Sequence, residues 1–379
     1  MPKGFEVRTT KPTLLIIGAL PPPAIGPSIA NQRLLQADTL RAIFNIIFLD
    51  LSDRRTAFNV GKFDLVNVWL AGKHVLHCSV LLVHKWPAIV YLNLSQGVWG
   101  YLRDLGFIVP SIFLRRKIVL HLRGSEFGSF YSEMPKALRF ITRRVFAQVS
   151  RVIVLGHTLK SVFKGLIADH RIAVIPNGID YTAFDLVAGA PRSKAGSKIL
   201  YVGSLQRRKG IFPLIEALPE IILRHRNVHL TFAGDWQSYD DRQVALSLIN
   251  KLGIGAYVTF LGEVNGSAKI ELYKKHDLFV FTPVEPEGLP WVVLEAMSAG
   301  LPVVTSNQGA LSEVVQDGRT GWIIQPEPAR IAEKVCDLLE NHLQAITMGY
   351  NGRRRVEQQF SESAYLSGLE RVFQQALHS

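Results

Sequence analysis

The sequence predicts an α/β protein made of two facing, Rossmann-like doubly wound domains with an interdomain cleft. Three observations carry this. The 379 residues suit two or three domains. Short β-branched and aliphatic runs alternate with longer segments of helical period. These runs are near-continuously apolar, as in parallel sheets covered on both faces, and they form two successive series.

Taken in order, the expected strands of the first half are Leu14–Ile17, Ile46–Leu49, Ala88–Leu92, Ile118–Leu122, Val152–Leu155 and Ala173–Ile175. Those of the second half are Ile199–Val202, His229–Ala233, Val258–Leu261, Leu278–Phe281, Val303–Thr305 and Trp322–Ile324. After the first strand comes a Pro-rich loop, Gly18–Ser28. A helix is expected over Ile29–Ile43, with Ser28 as its N-cap and a phosphate donor. Pro176-Asn177-Gly178 punctuates a turn, and Ala188–Ser197 reads as a linker. The domains are therefore expected at 1–180 and 181–360. Ser361–Leu377 has an amphipathic period, with Leu366, Leu369, Phe373 and Leu377 on one face. The segment 361–379 is expected to pack back on the first domain.

Composition narrows the class. Cys78 and Cys336 are too far apart in sequence for a disulfide framework or a thiolate metal site, which points to a reducing, cytoplasmic setting. The apolar run Leu14–Leu20 is too short for a secretion signal or a membrane span. The stretch Val75–Leu92 is broken by His77, His84 and Lys85, so any membrane contact is expected to be peripheral.

Charge is uneven. Residues 1–180 carry 23 Lys and Arg against 10 Asp and Glu, so the whole +12 excess lies there. That implies an anionic partner or, as the alternative, a solvated basic surface. No aromatic-interleaved basic strand face or recognisable module speaks for nucleic acid, and none is expected. Met134–Leu166 interleaves Lys136, Arg139, Arg143 and Arg144 with Leu138, Phe140 and Ile141, close in sequence to Arg115-Arg116-Lys117. This suits an anionic membrane surface, on its inner face.

The most informative segment is Glu287-Gly288-Leu289-Pro290-Trp291, running on to Glu295 and then Ala296-Met297-Ser298-Ala299-Gly300-Leu301-Pro302-Val303-Val304. Pro290 suits the first helical position and Gly300 the C-terminal cap, so a helix is expected over Trp291–Ala299. Its N-terminus opens at a strand's carboxyl end and suits a diphosphate. Glu287 and Glu295 are good acceptors for vicinal sugar hydroxyls.

This segment resembles the paired-glutamate motif of retaining family 4 glycosyltransferases, group 1 enzymes with the two-Rossmann GT-B fold. The likeness continues in order along the chain. Val174–Asp180 is similar to the family's domain junction. Tyr201–Gly210 resembles its phosphate-binding strand-loop, and Phe260–Val264 resembles the strand-loop near the base. Tyr273, Asp277 and Thr320-Gly321-Trp322 fall at matching places.

The resemblance implies a retaining glycosyltransferase that moves a sugar from a nucleotide sugar, a UDP- or GDP-sugar, to a hydroxyl. It implies no cofactor and no obligatory metal. Glu287 would hold the sugar, Glu295 the ribose, and Arg208 and Lys209 the departing diphosphate. Gly203, Ser204, Arg207, Val264, Gly288, Leu289 and Trp291 would complete the donor site. The acceptor would be a glycan or lipid-linked glycan of the cell surface.

The sequence departs from the family in two places on this side. Ser204 stands where an arginine is common, so Arg207 or Arg208 takes its place. Leu289-Pro290 stands for Phe-Gly, which removes one backbone donor.

In the first half the family's loop near the phosphates and acceptor matches at Gly26, with Pro27 replacing its second glycine. His121-Leu122-Arg123-Gly124 stands where His-x-His-Gly is common. Arg123 is suited to a phosphate or acidic group but not to act as a base. His121 reads as a buried strand histidine. Glu126 is either an acceptor contact or a solvated carboxylate. Four rival readings share parts of this pattern. Two are other enzymes of the same fold, a sugar-nucleotide epimerase or a glycan phosphorylase, and one is a non-catalytic anion-binding protein. The fourth, a nicotinamide dehydrogenase, lacks its Gly-x-Gly-x-x-Gly after a strand.

Overall fold

A computed structural model describes residues 11–22, 25–53, 65–185 and 197–379. The linker expected over Ala188–Ser197 lies, up to Gly196, outside them. The chain divides into two units. The first is Met1–Val154, Lys160–Ile175 and Leu366–Ser379, and the second is Leu155–Leu159 with Pro176–Tyr365.

Among the described residues the first unit holds six parallel strands: β1 (Thr13–Gly18), β2 (Asn45–Asp50), β3 (Ile89–Asn93), β4 (Lys117–His121), β5 (Arg151–Val154) and β6 (Ile172–Val174). Their order is β2-β1-β3-β4-β5-β6. The chain winds outward from β1 to β2 and returns across β1 to β3, so the winding reverses between β1 and β3. Leu14, Leu15, Ile16, Val90, Tyr91, Val119 and Leu120 are fully buried, as a sheet covered on both faces requires.

The second unit repeats the plan with β7 (Ser197–Val202), β8 (Val228–Ala233), β9 (Val258–Phe260), β10 (Leu278–Phe281), β11 (Val303–Ser306) and β12 (Gly321–Ile324). All neighbours pair in parallel in the order β12-β11-β10-β7-β8-β9. Here the winding reverses between β7 and β10. Open α/β sheets bind ligands beyond the carboxyl ends of the strands at such a point.

Several local expectations need correcting. The helix after β1 runs Gly26–Gln36, breaks at the extended Ala37 and resumes over Asp38–Ile43. Ser28 is therefore not the N-cap but the third helical residue. Its hydroxyl accepts from the Ile25 N–H at 3.1 Å and donates to the Ile25 carbonyl at 2.9 Å. Pro290 is the N-cap rather than the first helical residue, because its ψ of 129° is extended, and that helix is Trp291–Ser298.

The stretch Val75–Leu92 divides: up to His84 it belongs to one continuous 20-residue helix, Leu65–His84, since histidine is no helix breaker at these positions, and Ile89–Leu92 lies in β3. The C-terminal helix, Glu362–Leu377, buries Tyr365, Leu369, Val372, Phe373 and Ala376, while Leu366 and Leu377 flank that face only half-buried. In the first unit Phe373 sets its ring edge-on to Phe44 and Tyr91, at 6.0 and 5.5 Å between centroids.

Candidate active site

The second unit gathers chemistry where its winding reverses. Beyond β7, the Tyr201 hydroxyl donates to the Ser204 carbonyl at 3.2 Å. Gln206 joins two candidate residues: its amide N–H donates to Ser204 Oγ at 2.9 Å, and its Oε1 accepts from Arg208 Nε at 3.1 Å. One 3-10 turn, Arg207–Lys209, follows and closes at Gly210 with φ +81°. A Cβ at Gly210 would collide with the Thr282 carbonyl oxygen, so this glycine lets the loop lie against the end of β10.

Lys209 thereby reaches Glu287, Nζ to Oε1 at 2.5 Å. The contact is an ion pair by distance, without the alignment of a hydrogen bond. The side chains are only 15% and 10% exposed, so the pair is shielded from solvent. Arg207 is turned elsewhere: its guanidinium stacks over Phe212 at 4.2 Å and faces Asp241 at 3.6 Å.

The loop after β10 is fixed from several sides. Ser306 Oγ donates to the Pro283 carbonyl at 2.6 Å, Ala310 N–H to that of Gly288 at 3.3 Å, and Asn177 Nδ2 to that of Leu289 at 2.7 Å. Gly309, at φ +60°, lies so close that a Cβ would strike the Glu287 carbonyl oxygen. Leu289 and Trp291 are buried, so their side chains anchor the loop.

One turn into the helix, Glu295 pairs with Lys269 at 2.7 Å and accepts the Tyr273 hydroxyl at 2.7 Å. Val264 is half-buried in the loop after β9, beside Glu263, whose N–H donates to Asp235 Oδ1 at 3.0 Å. Burial, with Glu287 nearby, pushes the Tyr201 phenol well above its usual range, against an opposing pull from Arg208. Burial and Glu295 do the same to Tyr273, so both phenols stay protonated donors.

In the first unit the predicted residues form a polar chain. Asn31 Nδ2 donates to the Ala19 carbonyl, and Asn93 Nδ2 to Asn31 Oδ1, each at 2.9 Å. Arg123 donates from Nε to Asn93 Oδ1 at 3.2 Å and from Nη2 to the Tyr91 hydroxyl at 3.1 Å. That hydroxyl meets His121 Nδ1 at 2.9 Å. Burial, then Arg123, holds the His121 pKa well below its ordinary value, so the ring is neutral. Glu126 is exposed, and its N–H donates to Gln96 Oε1 at 2.7 Å. Gly26 opens the first helix beside Pro27.

The geometry adds residues that sequence reasoning missed: Gln206, Tyr201 and Lys269 in the second unit, and Tyr91, Asn93 and Asn31 in the first. Lys269 had a usable signal, since it sits four residues before Tyr273 and so shares its helix face. Gln206 and Asn93 had none, because they act through loop geometry. Two shielded carboxylate–lysine pairs eight residues apart, with Arg208 beside the first, can hold a ligand that carries both phosphate and hydroxyls. No group of three or more His, Cys, Asp or Glu among the described residues is arranged to hold a metal ion.

Comparison with known proteins agrees in kind. Residues 189–355 match the family described as Glycosyl transferases group 1. An uncharacterized glycosyltransferase of Methanocaldococcus jannaschii is 36% identical over 230 residues, covering 56% of this chain and 57% of that protein. A phosphatidyl-myo-inositol mannosyltransferase of Mycobacterium tuberculosis is 31% identical over 176 residues, 44% of each chain. The chain spans about half the length of the curated relatives it matches. HepE of Anabaena, crystallised with UDP and glucose, has a TM-score of 0.74 at 19% identity, covering 96% of this chain and 99% of that one, a likeness of fold.

Proposed function

We propose, for a chain whose residues 189–355 match the group 1 glycosyl transferases and which has the GT-B fold, that it transfers a sugar from a nucleotide sugar to a hydroxyl acceptor with retention of configuration. The observation that carries this reading is the shielded Lys209–Glu287 pair at the point where the second sheet's winding reverses.

A nucleotide sugar supplies what such a pair exchanges for. Its diphosphate takes Lys209 and Arg208 as counter-ions, and its sugar hydroxyls donate to the released Glu287 carboxylate. Glu295, steadied by Lys269 and Tyr273, accepts from the ribose hydroxyls. As the sugar–phosphate bond breaks, negative charge grows on the diphosphate, and these cations stabilise it without reorganising. A phosphate oxygen then takes the proton of the acceptor hydroxyl, which attacks on the face the diphosphate leaves. Because Arg208 and Lys209 supply the charge, the reaction needs no divalent metal.

The UDP and glucose of the HepE crystals make UDP-glucose the first donor to try. The mannosyltransferase relative is named for a phosphatidyl-myo-inositol acceptor; the acceptor proposed here is a lipid-linked glycan of the cell envelope, met at the cytoplasmic face of the membrane. The Asn31–Asn93–Arg123 chain is the part of the first unit suited to a phosphate or acidic group.

The test is thermal stabilisation by UDP, GDP, ADP and their sugar conjugates without metal, alongside Glu295→Ala. One nucleotide family is expected to raise the melting temperature, less in the variant. A folded protein that none of them stabilises would overturn the donor site. The anomeric configuration of the product, read by proton coupling, tests retention.

A further inference from the structure

The helix Leu65–His84 is apolar on two sides. Its inner side buries Cys78 and Leu82 in the first unit. At 3.6 residues per turn, Leu65, Trp69, Leu76, Val80 and Val83 fall within about 60° of one another on the other side. There they meet solvent, with Leu65 82%, Trp69 64% and Leu76 68% exposed. A helix hydrophobic all round is ordinarily buried, yet only 11% of this one's most apolar window is covered, at a mean hydropathy of 1.4.

The stripe does not stand alone. Helix Val98–Phe113 packs alongside: at Gly106 a Cβ would press on the Val75 side chain at 2.6 Å. It exposes Trp99, Leu102 and, at its far end, Phe113 at 82%. Helix Lys136–Gln148 comes next on the same side of the sheet and exposes Phe140 and Ile141 among its arginines. So wide an apolar surface marks an interaction site.

Length and composition would let Leu65–His84 cross a bilayer, but the topology argues against it. The helix is the crossover from β2 to β3, both bonded to β1, and its inner face is part of the packed unit. Crossing a membrane would strip Cys78 and Leu82 from that packing. The helix is instead placed to lie flat.

Charge identifies the occupant. Between residues 65 and 125 the one acidic residue is Asp104, which is buried and bonded to Arg103 and the Ser95 N–H. Around the stripe stand cations, several laid over aromatic rings: Lys73 over Trp69 at 5.5 Å, Arg116 over Trp86 at 3.9 Å and Arg144 over Phe140 at 5.1 Å. Apolar side chains rimmed by Trp, Lys and Arg match the boundary between acyl chains and anionic headgroups. A second copy of the chain would set two basic faces against each other.

We propose that the paired helices Leu65–His84 and Val98–Phe113 dock the protein flat on an anionic lipid bilayer, with Trp69 and Leu76 inserted and the surrounding lysines and arginines on the headgroups. This goes beyond the transferase reading and does not rest on it.

The test uses the full chain with phosphatidylcholine vesicles, with and without phosphatidylglycerol, in a sedimentation assay. Wild type is expected to favour the anionic vesicles at least tenfold. Trp69→Ser/Leu76→Ser should lose about tenfold or more of that binding. Lys73→Ser and Arg144→Ser should each lose about fivefold. All variants should keep the wild-type melting temperature and any stabilisation by UDP, which separates this surface from the donor site. Equal binding to both vesicles, no binding, or a double variant that binds like wild type would overturn the proposal. So would a lipid-free dimer that Trp69→Ser/Leu76→Ser turns into a monomer, which would assign the face to a second copy.

Discussion

His121 illustrates what burial does to one side chain. It is fully buried on β4, with Nδ1 on the Tyr91 hydroxyl and no partner at Nε2 among the described residues, and its pKa lies well below the ordinary 6.5. A depressed histidine pKa means that the unfolded chain takes up the proton first. Stability is therefore retained above pH 6.5 and falls as pH drops below it. The melting temperature is expected to decline between pH 6.5 and 5, and His121→Asn should flatten that decline. An unchanged slope in the variant would show that other groups set the acid limit. The same burial makes His121 an orienting neighbour of Arg123 rather than a proton carrier.

At the scale of elements, each of the twelve strands stands within two residues of where the apolar runs put it. Runs buried on both faces are short and continuously apolar, and the Gly and Pro punctuation brackets them. Helix ends were less legible, because a cap is defined by backbone angles rather than residue type: Ser28 looks like a cap and sits inside, while Pro290 looks internal and sits outside. Glu287, Glu295 and Lys209 were legible as motif residues. Two of their partners were less so, because Lys269 comes from the crossover between β9 and β10, three positions apart in the sheet order, and Gln206 acts through the shape of its loop. The solvent-facing stripe of Leu65–His84 was illegible for a plainer reason. Hydropathy measures how apolar a side chain is, and says nothing of whether protein covers it.

At the scale of the molecule, the chain enters each unit more than once. The first unit is completed only by the last segment, Leu366–Ser379. Phe373 is fully buried there against Phe44 and Tyr91, so the C-terminus is structural core. Phe373→Ala is expected to cost about 3–5 kcal/mol and to lower the melting temperature accordingly. A change of under 1 kcal/mol would mean that the first unit closes without this helix. The charge excess of residues 1–180 belongs to this scale too: on the proposed docking it is a field that would draw the molecule toward anionic lipid before any contact forms.

On the proposed function, the Lys209–Glu287 pair also bears on how a catalytic cycle would end. With the ligand gone, each charge neutralises the other, so the empty site is spared an unpaired buried lysine and an unpaired buried carboxylate. Under the proposed transfer, a spent nucleoside diphosphate, stripped of its sugar, would compete with an internal anion for the same ammonium, and the protein would thus carry its own ejector. Glu287→Ala is expected to slow turnover by at least about 100-fold and yet to bind UDP more tightly than wild type, as isothermal titration would register. Weaker UDP binding in that variant would mean that Glu287 holds the loop rather than the balance of charge.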